Sequence, residues 1–219
     1  MTRFEYISPR SGSRLLSLSD VARVAGSLKQ GVSAVLPTET GYMLAAVATS
    51  EEAVKGAFAV KGRSPGAVMH VGCASMDMAR TVGVLSDRAE RLLGHFTPGP
   101  LSVIVEKTEF LPDDLVTLNG TVGIRVPDHP ATLQVISAVG APLTATSLNS
   151  SGSQLASVDD AALRTLDWPE SAVVYIVRDD DAIAYSSAST LVRLSGEEIE
   201  ILRPGPISAA EIHQVADNA

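Results

Sequence analysis

The chain has 219 residues, 45% hydrophobic and 19% charged, a balance that suits one sizeable folded unit and excludes a disordered polar chain. Its formal net charge of −8 excludes a surface that coats nucleic acid through surplus Lys and Arg, though not a local basic pocket for one nucleotide. Cys73 is the single cysteine, so an intrachain disulfide or a cysteine-based zinc site is excluded, and the residue reads as a buried thiol.

Met1 to Arg14 is polar, without the apolar run of a signal peptide, and no stretch of about 18 apolar residues follows it. The cytoplasm is the expected compartment, with no membrane as a partner. Ser19-Asp20 can cap a helix whose apolar positions Val21, Val24, Ala25 and Leu28 recur at helical spacing, and Gly31 can end it. Val32 to Leu36 reads as a short buried strand closed by Pro37, and Met43 to Ala48 as another. Ser50-Glu51-Glu52 opens a helix toward Lys61, with acidic groups at the end where the helix dipole favours them. Ala67 to Val71 reads as a strand, Asp87 to Phe96 as a helix, and Leu101 to Val105 as an apolar strand after the turn Thr97-Pro98-Gly99-Pro100. Thr121 to Val126 is the next strand, followed by a helix from Pro130 to Val139. Leu143 to Ser147, Ala172 to Val177, Thr190 to Leu194 and Glu200 to Leu202 complete the strands. Ser208 caps a last helix reaching about Ala216.

Strands and helices mix without strict alternation, and several strand pairs are too close for a helical crossover. The pattern predicts an α+β fold with a twisted mixed sheet flanked by helices. No G-x-G-x-x-G follows the first strand and no P-loop is present, so a phosphate cradle would have to be of another kind.

Four clusters can carry chemistry. Leu36 to Tyr42 places two hydroxyls and a carboxylate in a turn between apolar strands, where Thr and Gly are also ordinary turn residues. Lys61-Gly62-Arg63 ends a helix; these cations can clamp phosphate or simply complement the helix C-terminus. Ala145 to Gly152 carries hydroxyls and an amide at a strand end, a polar shelf or a capped loop. Arg203-Pro204-Gly205 follows the last strand, and a lone Arg there can equally be solvated.

Together with Thr97-Pro98-Gly99-Pro100-Leu101-Ser102, the run Thr121 to Pro130 and Ser189-Thr190, these clusters resemble, in order and content, the YrdC-like family of threonylcarbamoyl-adenylate synthases. The resemblance runs from about Val32 to Ile207 and is to the short, single-domain type. It implies one YrdC-like domain over residues 1–219, with its core at about 18–207 and a large concave, positively charged cavity. It implies formation of threonylcarbamoyl-AMP and pyrophosphate from L-threonine, bicarbonate or CO2, and ATP as a substrate, with Mg2+. The product feeds the threonylcarbamoyl modification of adenosine 37 in transfer RNA. A separate threonylcarbamoyl-transferring partner is implied, so contact with transfer RNA is indirect.

The resemblance puts Lys61 and Arg63 on the phosphates, as the catalytic charges, and Thr121, Asn149, Ser157 and Arg203 beside them on ATP. It puts Thr40, His70, Arg125, Ser147 and Ser189 on threonine, with no metal ligated by the protein. His70 can orient or deprotonate the amine, or be a packed or capping histidine. The chain departs from the family pattern at four places. Tyr42-Met43-Leu44-Ala45 stands for Tyr-Gly-Leu-Gly, and Ser147-Leu148-Asn149-Ser150 for Ser-Ala-Asn-Leu. Ser64 to Val68 replaces a longer run with an asparagine, and Arg193 replaces an acidic residue. Two other readings fit the same residues. One is a YciO-like paralogue that binds RNA or nucleotide without this activity; the other is a carbamoyl-adenylate enzyme with another acceptor.

Overall fold

The computed structural model describes residues 1–62, 69–112, 117–148, 158–196 and 198–218. Its strands are β1 (Arg3–Ile7), β2 (Ala34–Thr38), β3 (Gly41–Ala45), β4 (His70–Gly72), β5 (Leu101–Glu106), β6 (Thr117–Leu118), β7 (Thr121–Arg125), β8 (Leu143–Ser147), β9 (Val173–Val177), β10 (Thr190–Ser195) and β11 (Glu198–Arg203). They form one sheet in the order β1-β9-β2-β3-β8-β4-β7-β5-β10-β11, with β6 beside β7. The pairs β1–β9, β9–β2, β4–β7 and β5–β10 are parallel. The hairpins β2–β3 and β10–β11 are antiparallel, so the sheet is mixed, as the sequence pattern predicts.

Helices cover both faces. Helix α1 (Leu18–Lys29) buries Val21, Val24, Ala25 and Leu28, the four positions whose spacing marks it as amphipathic. It packs with α5 (Pro130–Val139) against Ala34, Leu36, Met43 and Ala45. On the other face α2 (Glu51–Lys61), α3 (Met76–Val82), α4 (Asp87–Phe96), α6 (Asp160–Leu163) and α7 (Ala209–Asp217) bury Val54, Val82, Leu92, Leu163 and Ile212 in the larger core. Val35 and Leu44 face that core while Leu36 and Met43 face the smaller one. This is the period-2 alternation of a strand buried on both sides.

Three details differ from the sequence expectation. Ser17, not Ser19-Asp20, caps α1: its hydroxyl accepts from Asp20 N and donates to the Asp20 carboxylate, 2.6 Å away. Strand β2 runs through Pro37 rather than stopping there. Proline lacks a donor, but the recorded pairing to β9 lies at Val35, and the Pro37 carbonyl accepts from Thr132 Oγ1 at 2.6 Å. Strand β3 begins at Gly41, opposite Thr38, which leaves Glu39 and Thr40 as a two-residue turn. The expected strand Ala67 to Val71 is found as β4, His70–Gly72, with Met69 outside it and 67–68 outside the described residues.

Candidate active site

The β2–β3 turn begins the site. Thr38 Oγ1 donates to the Gly41 carbonyl at 2.7 Å, closing the hairpin. Arg125, at the end of β7, reaches this turn: its Nη2 donates to Thr40 Oγ1 and to Glu39 Oε1, each at 2.7 Å. Next to β7, β4 carries His70 between Gly123 and Ala145. A Cβ on Gly123 would lie 2.5 Å from His70 Cδ2, so only glycine leaves room for this imidazole. Ser147, at the end of β8, lies opposite Met43.

The opposite wall is built from β5, β10 and β11. Ser102 and Ser189 hydroxyl oxygens are 2.9 Å apart, and Ser102 is completely enclosed. Arg203 donates from Nε and Nη2 to the Ser189 carbonyl at 3.1 and 3.0 Å, and from Nη2 to Ser189 Oγ at 3.2 Å. A Cβ at Gly205 would lie 2.4 Å from Thr190 N, so glycine lets the chain after Arg203 press against that wall. Burial, then repulsion from the Arg125 guanidinium, pushes the Arg203 pKa below its usual value.

The walls enclose a cavity of about 200 Å³. Thr40, His70, Arg125, Ser147, Ser189 and Arg203 all line it. Among the described residues the lining holds two guanidiniums and no carboxylate. In a chain of net charge −8, two guanidiniums in one lining make a local concentration of cationic groups.

Lys61 lies at the rim: its ammonium donates to the Ser147 carbonyl, which joins the end of α2 to the end of β8. Thr121 does not line the cavity. It starts β7, four residues and roughly 13 Å before Arg125, and its hydroxyl donates to the Leu118 carbonyl at 2.7 Å. Arg63, Asn149 and Ser157 lie outside the described residues. Among the described residues no group of three or more His, Cys, Asp or Glu side chains is arranged to hold a metal.

Sequence reasoning assigned no role to Ser102, Glu39 or Tyr42. Ser102 interrupts the apolar run Leu101 to Val105, and a hydroxyl inside a buried strand is the signal that marks it. Tyr42 Oη donates to Asp180 Oδ1 at 2.6 Å and accepts from Asp179 N at 3.0 Å. Burial, then the hydrogen bond to Asp180, holds the phenol well above its ordinary pKa. It is a fixed wall, tied to the segment that leads toward Ser189.

The family model Sua5–YciO–YrdC, described as telomere recombination, matches residues 27–205. A Mycobacterium tuberculosis relative is 32% identical over 215 residues, covering 97% of this chain and 94% of its own. The Bacillus subtilis threonylcarbamoyl-AMP synthase is 30% identical, covering 91% of this chain and 58% of its own. Among solved structures, Pyrococcus abyssi Sua5 complexed with L-threonine superposes with a TM-score of 0.83 at 27% identity. That match covers 97% of this chain and 60% of that one, so this chain spans about three fifths of the length of both relatives. Escherichia coli YciO superposes with a TM-score of 0.81 at 22% identity, covering 97% of this chain and 100% of its own, which shows the shared fold.

Proposed function

The chain belongs to the Sua5–YciO–YrdC family, and from that premise we propose that it is a threonylcarbamoyl-AMP synthase. It joins L-threonine, bicarbonate or CO2, and ATP into threonylcarbamoyl-AMP and pyrophosphate. The observation that carries the reading is the convergence of Thr40, His70, Arg125, Ser147 and Ser189 on one cavity.

The geometry suits the chemistry at each stage. Arg125 directs guanidinium N–H toward the substrate carboxylate, with Thr40 beside it. The threonine amine must be neutral to attack CO2; nitrogen bonds to carbon, and the lost proton passes to His70 or to water. The carbamate oxygen then attacks the α-phosphate of ATP, and pyrophosphate leaves as the P–O bond to the β-phosphate breaks. No covalent enzyme intermediate is needed, so positioning and charge neutralisation account for the acceleration. Arg203, with Lys61 and Arg63, neutralises the triphosphate.

The described lining offers hydroxyls and carbonyls but no carboxylate. It therefore fits Mg2+ carried in on the phosphate oxygens of ATP rather than held in a protein cage. The product passes to a separate threonylcarbamoyl-transferring partner, in the cytoplasm, for the modification of transfer RNA. No helix of the described residues is long and apolar enough to cross a membrane.

The test is incubation with threonine, ATP and labelled bicarbonate. Labelled adenylate and pyrophosphate should appear together, at rates well above those of an Arg125→Ala variant. No turnover, where the Bacillus subtilis synthase works under the same conditions, would overturn the assignment.

A further inference from the structure

Glu39 is only 3% exposed, and among the described residues it is the one acidic side chain so deeply enclosed. A carboxylate in that position must be paired and hydrogen-bonded to be tolerated. Both oxygens are used, on two different targets. Oε1 accepts from Arg125 Nη2 at 2.7 Å, and Oε2 accepts from the backbone N of Asp128 at 2.9 Å. The Glu39 backbone carbonyl accepts from Ala184 N and Tyr185 N, at 2.9 and 3.0 Å. One residue thus ties the β2–β3 turn to the end of β7 and to the segment that leads to Ser189.

The consequence for Arg125 is specific. Its side chain is 12% exposed, so an unguided guanidinium there has little water to orient it. Nη2 is committed to Glu39 and Thr40. Nε is enclosed and meets no acceptor among the described residues. The Glu39 carboxylate therefore holds Nη2 and leaves Nε as an enclosed donor without an acceptor. A buried N–H left unpaired is costly, and a ligand carboxylate that arrives there relieves that cost. Glu39 also cancels the Arg125 charge, so recognition depends on the direction of that N–H more than on net attraction.

We propose that Glu39 is a positioning residue that aims Arg125 at the carboxylate of the amino-acid substrate. It touches no substrate itself. The inference rests on the synthase reading for the identity of that substrate, and on the Glu39–Arg125–Asp128 geometry for everything else.

Glu39→Gln tests it, because an amide keeps the size but offers one acceptor where two donors converge. In the synthase assay, KM for threonine should rise about tenfold or more, the scale expected for one lost charge-assisted hydrogen bond. KM for ATP should stay within about twofold and kcat should fall less than KM rises. Calorimetry adds a readout that general loosening would not move. Wild-type protein should bind L-threonine more tightly than L-threoninamide, which lacks the carboxylate, and Glu39→Gln should lose most of that preference. An unchanged threonine KM, or an unchanged preference, overturns the proposal.

Side-chain 15N spectra separate this proposal from the synthase reading and do not require Glu39→Gln to fold. Wild-type protein should show slowly rotating Arg125 Nη signals, identified by their loss in Arg125→Lys. Freely rotating Arg125 signals overturn the proposal whatever the assay gives. Ordered signals with no turnover instead sink the synthase reading and leave the aimed guanidinium standing.

Discussion

His129 is completely enclosed, and its Nε2 lies 3.1 Å from Asp179 Oδ2. Nδ1 is buried without a partner. A neutral ring suits this arrangement: Nε2–H donates to Asp179 and Nδ1 keeps only a bare lone pair. Protonation would bury an unpaired N–H, so burial pushes the His129 pKa down, outweighing the upward pull of Asp179; the positive charge of Arg14 pushes the same way as burial, and Asp128 opposes it. In the unfolded chain the same histidine titrates near its ordinary value of about 6.5. Below that pH the unfolded state binds a proton that the folded state refuses, so stability falls as pH drops from 7 toward 5. His129→Gln keeps a donor for Asp179 and removes the titration. Its Tm should therefore decline less steeply over that range than wild type, by a few degrees in a chain of this size. Parallel Tm curves for the two proteins would refute the account.

Among the elements, β7 shows best how local spacing sets the site. Gly123 leaves the gap that His70 fills, two residues before Arg125. Gly123→Ala would force the imidazole aside, costing about 1–3 kcal/mol by overpacking, and threonine-dependent turnover should drop further than that loss alone implies. Melting and initial rates measured on one preparation decide it; a normal rate at reduced Tm would show that His70 has no place in the reaction. Helices α4 and α5 were legible residue for residue because a capping Ser86, a first-turn Pro130 and a closing Gly140 bracket amphipathic or apolar runs. The threonine-side residues were legible only through the resemblance, since turn, strand and cap chemistry accounts for each one singly. Strand β1 left no usable signal, because its partner is β9, about 170 residues away in the chain. Helix α3 is seven residues long and buries only Ala79 and Val82, too little for a helical stripe to show. Glu39 was visible only as a polar turn residue. Its burial depends on Arg125, Asp128 and the 184–185 backbone closing over it, and no local pattern encodes that closure.

At the scale of the whole molecule, Cys73 offers a probe of cooperative opening. It is completely enclosed in the larger core, and burial pushes its thiol pKa up to about 12. Native protein at pH 8 should therefore resist an aromatic disulfide reagent for hours, while denatured protein takes up one equivalent at once. Rapid labelling of the native state would mean that the core around β4 opens independently of the rest. The cavity itself is a long-range construction: its lining begins at Thr38 and is completed only at Arg203. The β2–β3 turn is therefore synthesised well before the guanidinium that braces Ser189. A chain whose synthesis has not reached Arg203 lacks part of the described lining. Synthesis must therefore join two walls that lie far apart in the chain before the described lining exists.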